Sequence, residues 1–205
     1  MDPTFAVVLM LVVGAQLALQ APVNAGLGRL TGSLPAVLVS FAGGTVLLAL
    51  VALAEGSIGE IGRIGEADWY YLLGGLSGAL YVLTAAVAVT RIGAGGVAAG
   101  TITGQLIGSM AVDAVGILGL EGRPVTPARL LGAGALVLGT YLIVVRRGQE
   151  RPADADWRHV ALPMLAMVAA GAIIALQHPV NARLADTVEG VPAGLVNFVV
   201  GTAVL

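Results

Sequence analysis

Six stretches of this chain, residues 4–24, 34–54, 69–90, 94–118, 127–145 and 160–182, are apolar and almost free of charge. A helix rising about 1.5 Å per residue needs about 20 such residues to cross roughly 30 Å of hydrocarbon. Each stretch therefore reads as a membrane span. Water is excluded as the solvent of this fold: 58% of the residues are hydrophobic, 11% are charged and the mean hydropathy is +0.95, whereas a soluble domain carries about a quarter charged residues over its surface. Spans with short polar connectors predict an all-α polytopic transmembrane helix bundle, because unpaired strand edges are not tolerated in lipid. A last apolar piece, residues 191–205, is too short for a bilayer. The chain is expected to stop inside a seventh helix.

Several function classes drop out early. A net charge of -2 gives no basic footprint for nucleic acid. With no cysteine and two histidines, disulfides, thiolate nucleophiles and a conventional zinc cage are excluded, and no metal or cofactor is expected. Gly93-Ala94-Gly95-Gly96-Val97-Ala98 fits a loose dinucleotide pattern but joins two spans and lacks the preceding strand. No nucleophile elbow, zinc-protease helix or phosphate loop occurs, so an enzyme is not expected.

The chain repeats itself. Gly14 to Leu48 aligns without gaps onto Gly171 to Leu205, with roughly half the positions identical. The shared core reads Ala18-Leu19-Gln20-Ala21-Pro22-Val23-Asn24-Ala25 against Ala175-Leu176-Gln177-His178-Pro179-Val180-Asn181-Ala182. The first span therefore does not read as a secretory signal, and only Asp2 stands where a basic region belongs. Residues 1–147 read as a first five-span repeat, 148–159 as a charged linker and 160–205 as the start of a second repeat. An odd number of crossings inverts the second copy, the symmetry of many secondary transporters. A completed second copy would bring the parent to about ten spans.

Orientation follows from arginine, the sole basic residue type apart from histidine. Arg29, Arg91, Arg146, Arg147, Arg151 and Arg158 gather at one face, which predicts a cytoplasmic side there and an N-terminus outside. Trp69, Tyr70, Tyr71 and Trp157 stand where interfacial aromatic belts lie. Ile58, Ile61 and Ile64 alternate with Glu60, Arg63 and Glu66 as in an interfacial amphipathic piece, although interleaved glycines argue against a helix.

Among the acidic residues Asp113 alone lies well within an apolar run, Ile102 to Leu120, with no charged residue beside it. Such a group marks an ion or substrate pathway, or else is a neutral acid bonded to a neighbouring helix. Thr101, Gln105, Ser109 and Asp113 are spaced by four and climb one face of the fourth span. One position earlier run Gly96, Gly100, Gly104 and Gly108, a row that lets another helix come close. The first span carries Gln16, Gln20 and Asn24 with Pro22, a proline that kinks the helix and frees the carbonyl of Ala18. These amides either bind an ion or substrate or simply join helices. The second copy keeps Gln177, Pro179 and Asn181 and puts His178 in place of Ala21. His178 reads first as an interfacial residue and second as a proton relay. Inversion sets Asp113 and the Gln177-His178 pair at about 9 Å from the midplane on one side, so a shared cavity is expected.

Gly104-Gln105-Leu106-Ile107-Gly108-Ser109-Met110-Ala111-Val112-Asp113, followed by Gly122-Arg123-Pro124, resembles the fourth-helix signature of the YdcZ family. That family, formerly a domain of unknown function, belongs to the drug/metabolite transporter superfamily. The Gln20 and Asn24 segment, the glycine-rich third-to-fourth connection and Arg146-Arg147 resemble it too. The resemblance covers the first 147 residues as one unit and a second unit begun near Val160, as in a fused form cut short. It implies an inner-membrane exporter of small molecules, with Gln105 and Asp113 at matching positions of unassigned role. The resulting expectation is a secondary transporter in which Asp113 binds a proton or cationic substrate and Gln20, Gln105 and Gln177 orient it. The alternative is a structural or assembly membrane subunit whose glycine faces dock partner helices. Expected partners are the lipid bilayer, a small-molecule or cation substrate, and either a second copy in a homodimer or the missing second-half helices.

Overall fold

The computed structural model describes residues 2–116, 122, 124, 126–149 and 157–205; Glu121, Arg123 and most of the charged linker lie outside the described residues. Helices α1 (Pro3–Thr31), α2 (Ser33–Glu55), α3 (Leu73–Val115), α4 (Pro127–Gln149), α5 (Arg158–Val188) and α6 (Gly190–Val204) make an all-α polytopic bundle. Two 3-10 segments, Ile58–Glu66 and Trp69–Leu72, join α2 to α3.

Local chemistry sets the helix ends. Asp2 caps α1, its carboxylate accepting from the Thr4 and Phe5 amides at 2.7 and 3.2 Å, and Pro3 takes the first helical position, where its missing N–H is no loss. The helix continues through Pro22 and outlasts the first apolar run by seven residues, from 24 to 31, because its stop signal is Gly32 at φ +92. Only glycine reaches that conformation cheaply, and here one residue reverses the chain into α2. Likewise α5 continues through Pro163 and Pro179 to Val188.

The 47 residues from Trp69 to Val115 would measure about 70 Å if straight, more than twice the hydrocarbon thickness. Gly93, at φ 72 and ψ 168, breaks them into limbs 73–92 and 94–115. Along the first limb Gly74 faces Asn181 and Gly78 faces Gln177; along the second, Gly100 faces Met164 and Met167, Gly104 faces Val168, and Gly108 faces Ala175. Position on α5 thus falls along one limb and rises along the other. The limbs form a hairpin with α5 laid in its cleft, and the segment makes two crossings.

The core sits along that cleft. Ala88, Ile92 and Val97 around the bend pack with Val160, Met164 and Met167 of α5 and with Ala21 of α1. So α1 arrives at the end of the bundle from which α5 departs. Val37 and Phe41 of α2 pack on Ala79, Val82 and Ala86 of the first limb. At the opposite end Leu184, Val188, Ala193 and Val196 lie under Ile64, Tyr71 and Leu72. The isoleucine-glycine stretch is therefore a 3-10 helix seated on α5 and α6; its three-residue period suits the isoleucine spacing, and the glycines do not prevent it.

The duplicated segments also touch each other. Thr45 and Thr202, equivalent under the repeat, bring their hydroxyls to 3.0 Å. The equivalent rings of Phe41 and Phe198 lie with centroids 5.1 Å apart. A Cβ on Gly44 would strike Phe198, and one on Gly201 would strike Phe41. These contacts are reciprocal under the 157-residue offset.

Candidate functional site

Polar side chains gather in three places. At the end of the bundle that holds the 3-10 segments, the Gln177 amide donates to the Gly74 carbonyl at 2.7 Å, and Asn197 donates to Asn181 Oδ1 at 3.0 Å. A notch in α3 makes room for them, since a Cβ on Gly74 would lie 2.6 Å from Asn197 Oδ1. In the first copy Ser40 donates to Asn24 Oδ1, across the same sixteen-residue separation that joins Asn181 to Asn197. Both pairs tie the first helix of a repeat to the second. Asn24 is 2% exposed, and its Nδ2 has no partner among the described residues, nor has Asn197 Oδ1. Each such group costs about 1–3 kcal/mol.

The third place is an ion pair. Arg129, in the first turn of α4, reaches Asp113 at 2.6 Å, with side chains 36% and 24% exposed. This corrects two expectations. Asp113 has a charged neighbour, and it stands in the last turn of α3, because Gly116 in the left-handed region ends the helix well before the apolar run ends at Leu120. Gln177 is bonded to the first limb and Asp113 to α4, so the contacts do not join these two residues to each other.

The row of four divides. Thr101 is buried, its hydroxyl 3.5 Å from that of Tyr81; Gln105 is half-buried; Ser109 is exposed and bonded to the Leu106 carbonyl. A spacing of four drifts about 40° per step, so three steps turn the row about 120° around the helix. On the glycine row, Gly96 abuts Ile92 of its own chain turn, while Gly100, Gly104 and Gly108 face α5, where a Cβ would lie 2.9 Å from Met167 and 2.7 Å from the Ala172 carbonyl at Gly100 and Gly108. Gln20 is half-buried in α1 and His178 is exposed on α5. Pro22 and Pro179 both sit inside continuous helices. Among the described residues no three histidine or acidic side chains are grouped to hold a metal.

A sequence profile of the family described as "Putative inner membrane exporter, YdcZ" matches residues 5–142 and 162–205. The chain belongs to the YdcZ family. It is an integral, multi-pass inner-membrane protein of a transporter family rather than an enzyme family. No curated protein and no solved structure matches it.

In this YdcZ-family chain the contacts bring forward residues that periodicity passed over. Arg129 pairs across a connector whose course no spacing rule reveals. Ser40 and Asn197 were within reach, because the repeat makes them equivalent and both are polar in otherwise apolar helices. Gly74 looks like any span glycine until Asn181 and Asn197 are found against it.

Proposed function

We propose that this chain is a secondary transporter that exports a small organic cation in exchange for a proton, with Asp113 as the charge for which the two compete. One observation carries the reading: the Asp113 carboxylate has a counter-ion on a different helix, Arg129 at 2.6 Å, and remains a quarter exposed. A proton or cation arriving there displaces the guanidinium instead of having to neutralise an unpaired charge, so exchange costs little. Protonation of Asp113 would release the cation, and deprotonation would restore the pair. Gln105 and Gln177, with Asn181, would orient the substrate on the Asp113 side, and Gln20 and Asn24 would do so toward the other end of its path, as the buried unpartnered Nδ2 of Asn24 suggests. The reciprocal α2–α6 crossing, together with α1 arriving where α5 departs, supports an inverted pair of units. Against an assembly subunit docked through the glycine row stands the fact that Gly100, Gly104 and Gly108 are already covered by α5.

Flux in proteoliposomes under an imposed pH gradient, with a panel of organic cations and amines, tests this. Asp113→Asn should abolish proton-coupled flux while the protein still inserts and folds, and Arg129→Gln should keep flux but alter its pH profile. Full transport by Asp113→Asn removes the carboxylate from the mechanism.

A further inference from the structure

Charge is divided between the ends of the bundle. The end that holds the Gly93 bend and the α1–α2 turn is also where α4 ends and α5 begins. Among the described residues that end shows Arg29, Arg91, Arg146 and Arg158 and no carboxylate. Arginine-rich ends stay cytoplasmic, facing a leaflet whose anionic lipids attract basic groups beside the membrane.

At this end the first limb of α3 and the start of α5 leave a cavity of about 370 Å³ between them. Its walls are Leu83, Val87 and Ala88 on one side and Leu162, Pro163 and Ala166 on the other. Leu162 is 60% exposed, so the groove opens sideways onto hydrocarbon. Thr84 also lines it, but its hydroxyl is turned back to the Leu80 carbonyl at 2.7 Å, which leaves carbon facing the groove. The one charged lining residue is Arg91, exposed and in the last turn of its limb, with no ion-pair partner among the described residues. A hydrocarbon slot with a guanidinium at its headgroup end has the chemistry of a chain bearing a phosphate. Arginine binds phosphate oxygens through paired N–H donors, and its aliphatic stem can lie along the apolar wall.

We propose that this groove binds an anionic phospholipid, one acyl chain between α3 and α5 and the phosphate on Arg91. The site is separate from the Asp113–Arg129 pair, which lies at the opposite end of the bundle, so its failure would leave the transport reading standing.

Native mass spectrometry of the full chain in detergent, with equimolar phosphatidylglycerol and phosphatidylcholine of identical acyl chains, provides the test. Wild type should retain phosphatidylglycerol at least about fivefold over phosphatidylcholine, the preference one arginine at a lipid surface supplies. Arg91→Gln should bring the ratio to about one, Arg91→Lys should keep most of it, and Ala166→Trp should fill the groove and cut retention of both lipids. Equal retention by wild type overturns the proposal, as does a preference that survives Arg91→Gln. Loss of phosphatidylglycerol to millimolar inorganic phosphate would assign the site to free phosphate and overturn it as well.

Discussion

α1 and α5 carry the same duplicated text and are packed in very different ways. In the most apolar window of α5 44% of the residues are buried, against 6% in that of α1. Gly171 of α5 lies on the backbone of Thr101, whereas its equivalent Gly14 of α1 faces open space. The shared sequence makes both segments helical and gives both a face of small residues, but that face is used only where a partner surface meets it. For α5 the partner is the α3 hairpin, whose own glycines supply the other half of a close approach. Small residues at a four-residue spacing therefore permit contact and do not by themselves specify it.

The comparison breaks most sharply at those two glycines. Gly171→Ala would drive a methyl into the Thr101 backbone, which cannot move aside as a side-chain tip can. We expect it to destabilise the protein by about 1–3 kcal/mol. Gly14→Ala meets nothing and should gain about 0.5–1 kcal/mol by removing glycine's conformational freedom from a helix interior. Thermal unfolding in detergent checks both, and equal effects would mean that α1 and α5 are packed alike after all.

Where the copies meet, the comparison should collapse into equality. Gly44 and Gly201 each press on the phenylalanine of the other copy, so Gly44→Ala and Gly201→Ala should cost the same, about 1–2 kcal/mol each. Phe198→Leu should relieve the first and Phe41→Leu the second. Double-mutant cycles would show this as coupling of about 0.5 kcal/mol or more, and two unequal costs would mean that the two contacts are not energetically equivalent.

These contacts also show what could be read beforehand. The spans were legible, and with them a break between residues 90 and 94, because length and apolarity report directly on the bilayer. The end of α1 was not, because the apolar run stops at 24 while the helix stops at the glycine that can turn it, Gly32. Asn181–Asn197 was half legible through the repeat, since Asn24 and Ser40 stand at the same separation. Asp113–Arg129 was not legible, for charge pairing across a connector depends on a tertiary distance that periodicity does not encode.

A smaller difference lies in the turns. The first copy reverses at Gly32, φ 92 and ψ 153, and the second at the equivalent Glu189, φ 53 and ψ 140. A side chain there is strained, and Glu189 is exposed with no burial to offset it. Glu189→Gly should raise stability by about 1 kcal/mol, seen as a rise of roughly 2–4 °C in Tm. Gly32→Ala should lose a similar amount. No gain from Glu189→Gly would mean that the two turns differ in a way their dihedral angles conceal.

The smallest effect concerns how the copies begin. α1 starts on Asp2, whose carboxyl is held below its usual range first by the Phe5 amide and then by the Thr4 amide; α5 starts after Trp157 with no side-chain cap. A depressed carboxyl pKa means that the folded start of α1 binds its proton less readily than the unfolded one, so the cap contributes fully at neutral pH. That contribution is lost as the pH falls below 3.8, through the lowered folded value. Hydrogen exchange, corrected for intrinsic pH dependence, should therefore show the Thr4 and Phe5 amides losing protection in acid, with no matching change at the start of α5. Asp2→Ala should give α1 that unprotected start at every pH. Acid fraying of both helices alike would trace the effect to the bundle as a whole, and Asp2 would then have no part in distinguishing the two copies.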